Sequence, residues 1–248
     1  MLEELLPAPV AVRETFDPPV RSEGALYPEE EALLVRAVDK RRREFLGSRT
    51  CARRALAALG LPPAPVLPGA TGAPSWPAGV VGSMTHRAGY CAAAVAHAAH
   101  VLSLGIDAEE NAPLPRQVLE TVAVEEERGW AVHGGRGSAV HGDRGDHGDW
   151  DGRGDWGGAS DVCLDRLLFS AKESVFKAWS PLTGAPLGFR EVAVELSPPR
   201  EPGGAGAFRA RLRIAPPLVG GRELREFSGR WLARDGLLLT AVAAPRAA

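Results

Sequence analysis

The segment from Asp161 to Trp179 restricts the possible folds more than any other. Leu164, Leu167, Leu168, Ala171, Val175 and Ala178 recur at i, i+3, i+4 and i+7 steps, which writes one apolar face on a helix. Pro181 and Gly184 are expected to stop it. Such a face has to be covered, and the residues that follow read as strands. Phe208, Ala210, Leu212 and Ile214 alternate with Arg209, Arg211 and Arg213, the pattern of a strand with one wet face. Asp235-Gly236, between Trp231-Leu-Ala and Leu237-Leu-Leu-Thr-Ala-Val, predicts a hairpin turn, and three or four strands close the chain.

Upstream, residues 1–28 are Pro-rich and read as irregular. From Glu29 to Leu61, Leu34, Val38, Phe45, Ala52, Leu56 and Leu59 share a helical stripe, with a candidate break at Gly47-Ser48. Apolar runs at 80–84, 90–96 and 101–106 predict strands, and a second helix is expected from Pro115 to Trp130. Residues 133–160, rich in Gly, Asp, His and Arg and almost without aliphatics, cannot build a core and read as a mobile low-complexity insertion. The tract's histidines and aspartates invite a metal-binding reading, but their spacing is irregular. The sum is an α+β chain of two helix-plus-sheet halves, 1–105 and 106–248, joined near residue 105.

Composition narrows function by exclusion. A net charge of −2 over 248 residues gives no reason to expect a nucleic-acid or membrane binder, so any basic site must be local. The start, Met1-Leu-Glu-Glu-Leu-Leu-Pro, is acidic where a signal peptide is basic, and no stretch reaches the ~18 apolar residues of a membrane span. A cytoplasmic protein is expected. Cys51, Cys91 and Cys163 are too scattered for a disulfide framework or a zinc site. Lysine occurs only at 40, 172 and 177, so two of three fall in one short segment of an arginine-rich chain. A compact ammonium and a planar guanidinium are not interchangeable, which draws attention to 172–177.

Two constellations carry chemistry. In Gly105-Ile-Asp107-Ala-Glu109 the carboxylates are two apart, so a strand would present both on one face, as a hard cation such as Mg2+ requires. The same pattern also suits a polar strand end entering a loop. In Lys172-Glu173-Ser-Val-Phe-Lys177, Glu173 and Lys177 are spaced i, i+4. That spacing makes either a plain surface ion pair or a carboxylate and a cation serving a phosphate.

Gly105-Ile-Asp-Ala-Glu109, followed about sixty residues later by Phe169-Ser-Ala-Lys-Glu-Ser-Val-Phe-Lys-Ala-Trp179, resembles the paired signature of the Sfp/EntD-type 4'-phosphopantetheinyl transferases, nearest their actinobacterial branch. Lys40-Arg-Arg-Arg-Glu-Phe-Leu-Gly-Ser-Arg-Thr-Cys-Ala-Arg53, Trp76-Pro77 and Val81-Gly-Ser-Met-Thr-His86-Arg-Ala-Gly-Tyr90 extend the likeness to nearly the whole chain from Glu29, except 133–160. The resemblance implies two similar halves related by a pseudo-twofold axis, with coenzyme A between them. It implies transfer of phosphopantetheine from CoA to a serine of acyl or peptidyl carrier domains of polyketide, nonribosomal-peptide or fatty-acid synthases. A monomer would suffice.

Asp107, Glu109 and Glu173 match the carboxylates for Mg2+, with Mn2+ as an alternative. Glu173 is also the candidate base. Lys177 matches the lysine at the diphosphate, with Lys172 beside it. Ser83 and His86 fall where the family binds CoA phosphates, and Arg41, Arg49 and Arg53 match the 3'-phosphate and adenylate end. One departure stands out: many relatives carry a lysine before the Trp-Pro pair, and Leu67–Gly72 has none, so that one phosphate contact is either missing or supplied by Arg53 or Arg87. The rival readings are a catalytically inactive CoA or carrier-binding module and another Mg2+-dependent nucleotide phosphohydrolase.

Overall fold

The computed structural model describes residues 1–20, 26–69, 72–87, 89–133, 162–199 and 205–246. The expected insertion, apart from the backbone of His133 at the end of a helix, lies outside the described residues, as does the metal-binding reading of its histidines and aspartates. The described chain is α+β, with antiparallel sheets.

The first half begins with a 3-10 turn at Leu2–Leu5, then β1 (Ala11–Phe16), the short α1 (Pro28–Ala32), α2 (Asp39–Ala58), β2 (Val80–Arg87) and β3 (Tyr90–His97). β1 is a strand where an irregular segment was expected. Of its six residues only Val12 is buried, so the sequence carries no alternating signal there. α2 passes through Gly47-Ser48 unbroken. The Ser48 hydroxyl donates to the Glu44 carbonyl one turn back, and a Cβ at Gly47 would lie 2.7 Å from both Cys91 Sγ and Pro18. Gly47 is therefore a close-packing point rather than a break.

The second half holds β4 (Val101–Glu110), α3 (Arg116–Val122), α4 (Glu125–His133), α5 (Leu164–Thr183), β5 (Val192–Ser197), β6 (Gly206–Leu212), the small hairpin β7 (Leu218–Val219) and β8 (Arg222–Glu223), β9 (Glu226–Arg234) and β10 (Leu237–Pro245). The single helix expected over 115–130 is two, because Ala123 is extended and the Glu127 carboxylate turns back to accept from the Val124 N–H at 2.8 Å. Pro181 does not stop α5. Gly184, at φ +65°, does, in the left-handed conformation a helix cap favours.

The sheets are ordered β1-β3-β2 and β4-β10-β9-β6-β5. β4 runs unbroken across residue 105, so the change of sheet falls in the turn between His97 and Val101 rather than at 105. Alternate residues of β3 face opposite ways. Cys91, Ala93 and Val95 pack with α2, while Tyr90, Ala92, Ala94 and Ala96 meet Leu104, Ile106, Ala108, Leu239 and Ala241 of the second sheet. The far side of the second sheet covers the predicted stripe of α5, where Leu167, Leu168, Ala171, Val175 and Ala178 are fully buried with Trp231, Phe208 and Val242. Four layers result: α2, sheet, sheet, α5. Among the described residues no helix is long and apolar enough to cross a membrane.

Candidate active site

The site grows from the way α5 lies on β4. Ser103 Oγ donates to the Ala178 carbonyl at 2.6 Å, Gly105 lies under Ser174, Ser170 Oγ donates to Asp107 Oδ2 at 2.9 Å, and an Arg166 N–H donates to Glu109 Oε2 at 3.1 Å. Two residues up the strand meet four residues down the helix at every step. The match is close, since four helical residues rise about 6.0 Å and two strand residues about 6.8 Å. Gly105 makes the contact possible, because any Cβ there would lie 1.8 Å from the Ser174 carbonyl oxygen. The glycine that opens the 105–109 motif thus sets how near the helix comes.

That register gathers the carboxylates. Asp107 is buried, accepts from Lys177 Nζ at 2.7 Å through Oδ1 and from Ser170 through Oδ2, and Lys177 also donates to the Ile106 carbonyl at 3.1 Å. Thr240, opposite Asp107 on β10, shares a hydroxyl contact with Ser170 at 3.0 Å. Burial raises the pKa of Glu173, and the like charges of Asp107 and Glu109 raise it further against the pull of Lys177. Burial and Asp107 likewise raise Glu109, opposed by Arg87 and Arg166. Among the described residues no hydrogen bond or ion pair holds Glu173.

A basic group faces them from the first half. On β2, His86 turns toward α2, where Nδ1 lies 3.6 Å from Glu44 and Nε2 3.4 Å from an Arg41 nitrogen. The Arg49 guanidinium stacks over the Phe45 ring at 3.8 Å, with Arg41 on the same ring at 5.7 Å. Burial lowers Arg49 to about 10, with Glu30 opposing and the charges of Arg41 and Arg53 adding to the fall. Burial also lowers His86. Glu44 opposes this, and Arg41, Lys177 and Arg49 add to it, so the lysine of one half is felt at the histidine of the other. Cations crowded this way favour an anion. A cavity of about 240 Å3 lies where the Val80–Gly82 end of β2 comes near Ser103 of β4 and Ser180 of α5, lined also by Trp76 and Ser75.

Three expected phosphate contacts are placed otherwise. Lys172 is buried, and its ammonium donates to the Val122 and Phe189 carbonyls and to Glu127 at 2.7 Å, so it anchors α4 and does not reach the carboxylates. Burial pushes Glu127 up and Lys172 down, and each group's charge opposes the shift of the other. Ser83 is also buried, and its hydroxyl accepts from the Ile106 N–H at 3.1 Å. Arg53 is paired at 2.9 Å with the fully buried Glu30, while among the described residues no ion pair holds Arg41 or Arg49. Arg87, the other candidate to replace the missing loop lysine, has its Nε 3.6 and 3.5 Å from Glu109 and Glu110.

Reasoning from sequence missed Arg166, Ser170, Thr240, Glu44 and Phe45. Arg166 and Ser170 stand four apart on the helix and could have been found from its period. Thr240 has no sequence signal, because only the β4–β10 register brings it to Asp107.

The donor set suits a hard cation: three carboxylates, two of them raised in pKa by burial and then by the charge of Asp107. As the side chains stand, no three such groups among the described residues converge to ligating distance, since Lys177 and Ser170 hold Asp107 and Arg166 holds Glu109. Lys177 and Arg166 supply countercharge to Asp107 and Glu109.

The comparisons agree with this geometry. Residues 29–96 match the family model of the 4'-phosphopantetheinyl transferase N-terminal domain, and 103–210 match that of the 4'-phosphopantetheinyl transferase superfamily. The chain is 49% identical over 98% of its length to the 4'-phosphopantetheinyl transferase Svp of Streptomyces mobaraensis, covering 89% of that protein. It is 44% identical over 98% of its length to Npt of Nocardia iowensis, covering 99% of it. Against PptT of Mycobacterium tuberculosis the identity is 39% over 87% of the chain and 84% of the relative. With relatives this similar along almost its whole length, and carboxylates and cations set against one another across its two halves, the chain belongs to the 4'-phosphopantetheinyl transferases.

Proposed function

We propose that the protein transfers the 4'-phosphopantetheine of coenzyme A to a serine hydroxyl of apo acyl or peptidyl carrier domains, releasing 3',5'-ADP. The observation that carries this reading is the gathering of Asp107, Glu109, Glu173 and Lys177 where α5 lies on β4, with the Lys177 charge felt at His86, which sits against Arg41 and Glu44. The halves are proposed to be related by a pseudo-twofold axis. Each sets a 20-residue helix, α2 or α5, on one face of its antiparallel sheet.

In this reading Arg41 and Arg49, which share the Phe45 ring, take the 3'-phosphate and adenylate end. His86 and Lys177 meet the diphosphate. Asp107, Glu109 and Glu173 would hold Mg2+ or Mn2+, which when bound would offset phosphate charge. Glu173, raised in pKa and unpaired, accepts the proton of the incoming serine. The serine oxygen bonds to the β-phosphorus as the bond to 3',5'-ADP breaks, and Lys177, released from Asp107, steadies the charge that gathers on the phosphate oxygens. A monomer acting in the cytoplasm on synthase carrier domains completes the reading.

The test is nucleotide release. CoA should yield 3',5'-ADP only when an apo carrier protein and a divalent cation are both present. Release without a carrier would make the protein a phosphohydrolase, and CoA binding with no release would make it a binding module.

A further inference from the structure

Two sheets that share a core normally leave their edge strands to solvent or to a cover. Here two edges meet. β2 ends one sheet and β4 ends the other, and no backbone ladder joins them among the described residues. Instead the Ile106 and Ala108 N–H groups of β4 donate to Ser83 Oγ at 3.1 Å and Thr85 Oγ1 at 3.0 Å. Both pairs advance in the same direction, so β2 runs parallel to β4 with two hydroxyls standing where a neighbouring strand's carbonyls would be. Ser83 and Thr85 are each only 4% exposed, and leaving the two buried N–H groups unmet would be costly.

The place of this seam matters more than its stability. Thr85 precedes His86, which turns to the other face of β2 and meets Arg41 and Glu44. Ala108 sits between Asp107 and Glu109, which turn to the other face of β4 and meet α5. One hydrogen bond, with one peptide unit on either side of it, therefore links the anion-binding histidine to the carboxylates. A slip by one residue would exchange the faces of every side chain involved, and a pair of bonds two residues apart forbids it.

The geometry points to Ser83 and Thr85 as positioning residues, whose hydroxyls hold the basic half in register with the carboxylate half. The inference rests on the proposed transfer reaction. It gives Ser83 a role in place of the phosphate contact expected from sequence, and it assigns the Thr85 hydroxyl a backbone N–H as its partner.

The variants are Thr85→Val, which keeps the shape and removes the acceptor, Thr85→Ser, which restores it, and Ser83→Ala. Three readouts are needed: amide hydrogen exchange at Ile106 and Ala108, steady-state kcat and KM for CoA in the carrier assay, and Tm. Thr85→Val should speed exchange at Ala108 at least tenfold while α5 amides stay protected. Its kcat/KM should fall by about tenfold or more, the scale of a sub-ångström misplacement. Thr85→Ser should recover both, and Ser83→Ala should act first at Ile106. Fast exchange with unchanged kcat/KM would show that the seam does not serve the reaction. Unchanged exchange would show that the hydroxyls are not the partners. Absence of transfer by the wild-type protein would sink the functional reading instead, with amide exchange still reporting whether the seam exists.

Discussion

Replacing Gly105 with alanine should damage catalysis more than stability. The new Cβ would stand 1.8 Å from the Ser174 carbonyl oxygen, 2.9 Å from its carbon and 2.8 Å from the Ala178 nitrogen. All three are backbone atoms of α5, so no side chain can swing aside. An ordinary carbon–oxygen contact of about 3.3 Å requires α5 to withdraw by about 1.5 Å. Overpacking of this kind costs about 1–3 kcal/mol, and at about 2–4 °C per kcal/mol for a domain of this size Tm should fall by roughly 2–12 °C. Glu173 and Lys177 ride on the displaced helix while Asp107 and Glu109 stay with β4. A misplacement near 1 Å costs on the order of 100-fold, so kcat/KM should drop at least that far at a temperature where the variant is folded. The assay is carrier modification over time at 20 °C, with circular dichroism melting alongside. Gly129→Ala is the control, because nothing lies within 4 Å of a Cβ there on α4. Wild-type turnover in Gly105→Ala would refute the claim that the α5–β4 approach builds the site.

Glu173→Gln should keep CoA binding by calorimetry and lose transfer by about 100-fold or more; near-normal turnover would remove Glu173 from the proton step. Lys177→Arg should be damaging although the charge is kept, because a planar fork does not replace a point donor beside Asp107; wild-type rates would contradict this. Lys172→Met strands the buried Glu127 charge and should cost about 3–5 kcal/mol by urea unfolding, yet leave KM for CoA within about twofold; a raised KM with unchanged stability would return Lys172 to the phosphate. Burial raises the pKa of Glu14, but hydrogen bonds from the Met1 ammonium, the Tyr90 hydroxyl and the Leu2 N–H outweigh it, so the folded value lies below 4.5. Its contribution is therefore complete above the unfolded pKa and is lost as pH falls through the folded one. The stability gap between wild type and Glu14→Gln should be flat near neutrality and close in acid, and a gap that widens on acidification would reverse the sign.

The second half was the more legible in sequence. The α5 stripe and the alternation in β6 are repeats that one burial face imposes, although β6 ends at Leu212, short of Ile214, and the Asp235-Gly236 turn stands where expected. What failed depended on pairings and caps that hydrophobic period alone does not show. Nothing local in residues 11–16 tells that β1 pairs with β3, and the helix break at Ala123–Val124 depends on the Glu127 carboxylate turning back. At the site, motifs identified residues but not what those residues face. Lys172 and Lys177 are five apart, hence about 140° apart round a helix, so one meets Asp107 and the other Glu127. Ser83 lay in a motif and was assigned to a phosphate, whereas the pleat of β2 sends it to β4 and sends His86 to α2.

The central claim is that this site moves phosphopantetheine from CoA to a carrier serine. Incubating the protein with an apo acyl carrier protein, CoA and Mg2+ and weighing the intact carrier tests it most directly. A gain of about 340 Da that disappears with EDTA, and with a carrier lacking its serine hydroxyl, is the predicted result. An unchanged mass across several unrelated apo carriers, with CoA demonstrably bound, would contradict the account.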